Sequence, residues 1–183
     1  MKEDLVLINP TKEYEKDLMD YMKELYDNNS EFHGCGKLED YLEDFDAWLK
    51  KLEEFKSLGS TGNWVKSDTF ILVRKNDNRV VGIINLRYYL NDFLYKYGGN
   101  IGYNVRPSER RKGYATQMLK YALKECKKYG LNKVIVGCYK ENKGSAKTII
   151  KNNGKLIKEK DIFIDINDCW RINLVDQFYE IEI

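Results

Sequence analysis

The sequence predicts an α+β fold in one domain of residues 1–183, and three observations lead to it. First, Phe70-Ile71-Leu72-Val73 and Val80-Val81-Gly82-Ile83-Ile84 flank Asn76-Asp77-Asn78, two β runs about a turn cluster. Second, Ala115, Met118, Leu119, Ala122, Leu123 and Cys126 recur at helical spacing and are closed by Gly130. Third, Val134-Ile135-Val136 is apolar on consecutive positions, as a strand buried on both faces requires. Strand, helix and strand in that order predict a right-handed parallel crossover.

The remaining elements follow in chain order. Leu5 to Asn9 is a short β run ended by Pro10 and Thr11. Tyr14, Leu18, Tyr21, Met22 and Leu25 then mark a first helix, stopped by Asn28-Asn29-Ser30. A glycine-bounded loop around His33 leads to a second helix with Leu38, Tyr41, Leu42, Phe45, Leu49 and Leu52 on one face, ending near Gly59. Tyr88 to Gly99 is aromatic and irregular, a candidate functional loop whose Tyr88-Tyr89-Leu90-Asn91-Asp92-Phe93 either walls a pocket or covers a sheet edge. A strand resumes from Asn100 to Arg106. A further helix, with Ala146, Ile149 and Ile150 inward, runs to Asn153-Gly154, and the tail alternates like an antiparallel hairpin about Asn167-Asp168.

Composition excludes several functions. Charged residues make up 33% of the chain but leave a net charge of only +2, so no overall field marks a nucleic-acid or membrane binder. The stripe Lys120, Lys124, Lys127 and Lys128 reads as a solvated helix face. The start, Met-Lys-Glu-Asp, has no apolar h-region, and no later stretch is long enough to span a bilayer, so a cytoplasmic protein is expected. Cys35, Cys126, Cys138 and Cys169 show no C-x-x-C spacing and His33 is the only histidine; no metal site is expected and reduced thiols are the default.

The segment from Val105 to Thr116 carries the chemistry. A strand passes through Arg110, Arg111 and Lys112 to Gly113, Tyr114, Ala115 and Thr116 at a helix N-terminus. Such a terminus offers unpaired N–H groups and a positive dipole end, enough to hold a diphosphate. Gly113 lets the backbone approach phosphate closely, and the basic residues add charge.

The order Arg110-x-x-Gly113-x-Ala115 between strand and helix resembles the Q/R-x-x-G-x-G/A signature of the GNAT superfamily of N-acetyltransferases. After the next strand, Asn142-Lys-Gly-Ser145 is similar to the family's asparagine and small residue that contact the cofactor. The run from Gly99 to Ala115 looks like a group of uncharacterised bacterial acetyltransferases. The resemblance implies a GNAT-like central mixed, mostly antiparallel sheet with one parallel splayed strand pair, flanked by about four helices. It implies acetyl-CoA as cofactor, held by the turn from Arg110 to Thr116 and by Asn142 and Ser145, with Val105 as a pantetheine contact. Backbone amides near Tyr103 and Asn104 would polarise the thioester carbonyl while an acceptor amine attacks directly.

One departure stands out. Many family members carry a tyrosine about seven residues after the asparagine as acid to the leaving thiolate, whereas Ile149 and Ile150 stand there. Tyr139 and Tyr103 are the nearest substitutes, and Glu31 and His33 are the candidate bases. The acceptor is expected to be a small-molecule or peptide amine, with a homodimer possible through the C-terminal strand. A catalytically silent acyl-CoA-binding sensor is the competing reading.

Overall fold

The first apolar run is β1 (Leu5–Ile8) in the computed structural model, which describes residues 4–57, 64–166 and 170–183. β1 pairs antiparallel with β2 (Ser67–Arg74), which turns back as the expected hairpin into β3 (Arg79–Arg87). β4 (Ile101–Val105) closes this four-stranded sheet on the far side of β3. A second sheet has the order β5 (Lys133–Tyr139), β7 (Trp170–Glu182), β6 (Lys155–Ile166), again antiparallel throughout. The turn expected at Asn167-Asp168, the end of helix two at Gly59, and Cys169 lie outside the described residues.

Alternation decides which side chain meets which layer. Along β2 and β3, Ile71, Val73, Val80 and Ile83 enter one core, while Leu72, Val81, Ile84 and Leu86 enter the other. The first core is covered by α1 (Glu15–Asp27) and α2 (Phe45–Ser57), with Leu18, Leu25 and Trp48 fully enclosed. The second lies under α4 (Tyr114–Lys128) and α5 (Lys143–Lys151) and takes residues from both sheets, including Val134, Val136 and Ile181 of the second. Each fully buried Leu or Ile there contributes roughly 1.5–3 kcal/mol.

The sheets meet at a seam. The Asn100 N–H donates to the Ile135 carbonyl at 2.7 Å, an antiparallel bridge joins Gly99 to Val136, and the Asn100 side chain accepts the Ile135 N–H at 2.8 Å. Gly99 sits at φ +68° and a Cβ there would lie 2.5 Å from the Ile135 oxygen, so only glycine permits this approach. Beyond the seam no pairing among the described residues joins Ile101–Val105 to Gly137–Tyr139. The mixed architecture is as expected, but the parallel splayed pair is not confirmed: all ladders among the described residues are antiparallel, and an asparagine side chain takes the place of one inter-strand bond.

Four further expectations are corrected. The second helix starts later, because the Asp44 carboxylate accepts the Ala47 N–H at 2.9 Å as a cap; Leu38–Asp40 is a separate 3-10 turn and Leu42 is exposed. The aromatic segment contains α3 (Asp92–Tyr97), whose first turn is capped by Asn91 Oδ1 receiving the Leu94 N–H at 2.9 Å, so the described residues hold five α-helices. Ile149 is buried but Ile150 is exposed, since the next residue on a helix turns away by about 100°. Residues 176–182 of the C-terminal strand β7 lie between β5 and β6, so only 170–175, paired with β6 alone, keep the free edge expected of the whole strand.

Candidate functional site

Where β4 ends, the chain makes a tight turn held from beneath by ion pairs. Arg106 is almost fully buried, 2% exposed, and pairs with Asp17 and Glu24 of α1. Glu24 also accepts from the Ser108 hydroxyl at 2.7 Å and the Ser108 N–H at 3.3 Å. Burial opposes the charge on Glu24, yet the bonds from Ser108 and Arg106 leave its carboxyl below the usual range. Glu109, buried in the 3-10 turn Pro107–Glu109, receives Arg74 at 2.9 Å and Lys112 at 2.8 Å. Those partners outweigh its burial and lower its pKa as well. Arg74 also donates to the Tyr114 hydroxyl at 2.9 Å, which ties the start of α4 to β2.

Above this scaffold the backbone bends sharply. Arg111 takes φ +68° and Gly113, the residue before α4, takes φ +88°. A Cβ at Gly113 would meet nothing within 4 Å, so the strain there is conformational and the space beside it is open. Gly113 has no side chain to cap α4, and Ala115 and Thr116 line a cavity of about 1280 Å³ at the N-terminal end of its dipole. An anion is what such an end attracts.

The cavity runs from this turn between β4 and β5 to the loop before α2. Gly102, Tyr103, Asn104 and Val105 form one wall and Gly137, Cys138 and Tyr139 the other. The Tyr103 hydroxyl meets Ser145 Oγ at 2.7 Å, and burial pushes its pKa well up. Asn142 caps α5, its Oδ1 accepting the Ser145 N–H at 3.0 Å. At the far end Gly34, at φ +77°, presses its backbone on β4 so closely that a Cβ would lie 2.3 Å from the Gly102 oxygen. The Asn104 amide donates to the Glu31 carbonyl and Trp48 Nε1 to the Gly36 carbonyl at 2.8 Å, pinning the loop.

Residues 22–151, more than two thirds of the chain, match the Acetyltransferase (GNAT) family. The chain belongs to that family. No curated protein matches it. Solved GNAT-type structures share the fold at low identity. An N-acetyltransferase from Staphylococcus aureus Mu50 is 19% identical with a TM-score of 0.68, covering 98% of each chain. A Salmonella typhimurium protein classed as an acetyltransferase, solved with its cofactor acetyl-CoA, is 13% identical with a TM-score of 0.66, covering 97% of this chain and 93% of that one. The ribosomal-protein-S5-alanine acetyltransferase of Vibrio fischeri is 13% identical with a TM-score of 0.69, covering 100% of this chain and 94% of that one.

Within the GNAT fold the residues named from sequence fall into three groups. Tyr103, Val105, Arg110, Arg111, Gly113, Tyr114, Ala115, Thr116, Asn142 and Ser145 all line the one cavity. Two basic residues of the turn are engaged inside the protein. Lys112 bonds Glu109 and is not part of the cavity wall, and Arg110 bridges the Val105 carbonyl at 3.1 Å and the Ser30 hydroxyl at 2.9 Å. Glu31, His33 and Tyr139 gather at the rim, Glu31 paired with His33 and the His33 ring 6.2 Å from that of Tyr139. Burial, then the charges of Glu31 and Asp176, raise the Tyr139 pKa.

Sequence reasoning missed Glu39, Arg87 and Asp176, which line the same cavity. Asp176 lies opposite Tyr139 in the β5–β7 register, and burial raises its pKa although His33 and Lys160 act against the shift. Only the glycines around His33 hinted at this end, since close backbone approach needs them. No helix among the described residues is long and apolar enough to cross a membrane, and none of their His, Cys, Asp or Glu groups could hold a metal ion.

Proposed function

We propose that this single-domain acetyltransferase uses acetyl-CoA to acetylate a primary amine by direct attack within a ternary complex. The observation that carries the reading is the uncapped α4 terminus at Gly113 opening into a cavity that continues between β4 and β5 to a second, chemically different end. The turn suits a diphosphate, held by the amides of Ala115 and Thr116 with Arg111 nearby, and Val105 and Tyr103 offer a wall for a narrow arm. The cosubstrate brings an activated acetyl thioester. What the chain adds is orientation and exclusion of water.

The transfer forms one C–N bond and breaks one C–S bond; one proton leaves the amine and one reaches the departing sulfur. Glu31 and His33, paired and half exposed at the rim, are suited to pass the amine proton to solvent. Tyr103 is bonded to Ser145, and the position where relatives carry a tyrosine holds the buried Ile149, so no tyrosine is assigned as the acid. The same isoleucine favours the second reading, a silent acyl-CoA sensor. Thiol release from acetyl-CoA in the presence of mixed amines separates the two.

The site itself is tested at Gly113. Asp at this position places a side chain and a negative charge beside the diphosphate, and should weaken acetyl-CoA binding by at least about a hundredfold while the chain stays folded. Calorimetry on the wild type and Gly113→Asp decides it, and equal affinity would move the phosphates elsewhere.

A further inference from the structure

Arg87, Glu39 and Asp176, at the α2 end of the cavity, have no opposite charge within salt-bridge distance among the described residues, and Arg87 and Glu39 are of opposite sign. Arg87 ends β3. Its Nη1 donates to the Gly99 carbonyl at 3.0 Å and reaches that of Gly98 at 3.5 Å, while Nη2 and Nε have no hydrogen-bond partner among the described residues. Burial brings the Arg87 pKa down to about 10, so the group is still a cation at neutral pH. Glu39 sits in the 3-10 turn before α2 with Oε2 buried and unpartnered. Elsewhere the protein pairs such groups, as Arg106 and Glu109 show. Half-buried and facing one cavity, unpaired groups of opposite sign describe what should enter it.

We infer that the acceptor is a free α-amino acid with an apolar or aromatic side chain, its carboxylate on Arg87 and its amine toward Glu39. A guanidinium with open N–H groups is matched to a carboxylate, which it can take bidentately. Phe55, Trp64, Phe93 and Tyr97 line the same end and provide a surface for the side chain. A polyamine would bring only positive charge to Arg87, and the N-terminus of a protein would bring no acid beside its amine. The carboxylate takes no part in the bond changes: the amine nitrogen gains the acetyl carbon, the thioester C–S bond breaks, and the protons balance as above.

This inference rests on the acetyltransferase reading, and its test separates the two. The full chain is saturated with CoA, the product, and titrated calorimetrically with L-phenylalanine, L-leucine, phenethylamine and isopentylamine, so that binding is read without turnover. The amino acids should bind at least tenfold more tightly than the amines that lack the carboxylate. Steady-state thiol release with acetyl-CoA should show the same order in kcat/KM. Arg87→Gln should shrink that ratio to within about threefold, because the lost contact is one only the acid makes. Glu39→Gln should weaken both classes. Equal or tighter binding of the decarboxylated amines by the wild type, or no binding of either amino acid, overturns the inference even if Arg87→Gln does not fold. Failure to bind CoA at all sinks the transfer reading instead.

Discussion

At the α4 end of the cavity the carboxylates are paired, Glu109 with Arg74 and Lys112, Glu24 with Arg106 and Ser108; at the α2 end Glu39 and Asp176 have no ion-pair partner among the described residues. Their pKa values move in opposite directions for that reason. Hydrogen bonds from Arg74 and Lys112 overcome desolvation for Glu109, and those from Ser108 and Arg106 overcome it for Glu24, whereas desolvation dominates for Glu39 and Asp176 and raises them. One end therefore stabilises the fold and sets the backbone of the turn before α4. The other holds unsatisfied charge, as a site that waits for a ligand does.

The largest expected effect comes from breaking the paired end. Arg106→Met leaves Asp17 and Glu24 facing a buried methyl group and should cost about 3–5 kcal/mol of stability, measured by urea denaturation. It should also weaken acetyl-CoA binding, since the turn loses its anchor to α1. A loss below about 1 kcal/mol would mean that the ion pairs do not hold the turn.

A smaller effect of opposite sign is expected at the other end. The folded-state pKa of Glu39 is raised, so its ionised form costs stability at pH values above that pKa, and the cost is relieved as the pH falls through it. Glu39→Gln should thus be more stable than the wild type near neutral pH, with the gap closing in acid. Glu109 behaves in the reverse sense: its lowered pKa contributes stability above the unfolded-state value, lost as the pH falls through the folded one, so Glu109→Gln should be less stable at neutrality. Tryptophan fluorescence melts from neutral to acid pH read both variants. Destabilisation by Glu39→Gln at pH 7 would show that Glu39 has a structural partner and would erase the contrast.

The smallest effects belong to the two tyrosines on the walls between the ends. Tyr103→Phe and Tyr139→Phe should each lower kcat by less than about tenfold, because neither hydroxyl is assigned as a proton donor. Thiol release from neutral to alkaline pH checks it. A hundredfold loss with the alkaline limb removed would identify one of them as the acid.

How much of this was legible beforehand depends on the range of the interactions. The α4 turn was readable because glycine, basic residues and a following helical period lie within twelve positions of one another. The α2 end was not, because Glu39, Arg87 and Asp176 come from three segments separated by about fifty to ninety positions. Periodicity also misled locally. Leu38 and Leu42 continue the apolar period of α2, but the Asp44 carboxylate takes the Ala47 N–H and starts the helix after them. The pairing of Lys112 with Glu109, three residues earlier, was likewise not read from the sequence.

By itself the sequence determined the α+β class, the β2–β3 hairpin, the spans of α1, α4 and α5, and the turn at Gly113. These depend on side-chain period, capping and backbone freedom over a few residues, all of which are written locally. Tertiary structure alone decided where the two sheets stop pairing, because that turns on Asn100 meeting Ile135 across 35 positions. It also decided which charges are neutralised. Whether a buried carboxylate is lowered by an arginine or raised by its solitude depends on which strand or helix lies opposite, and a chain read in one dimension does not contain its neighbours in space.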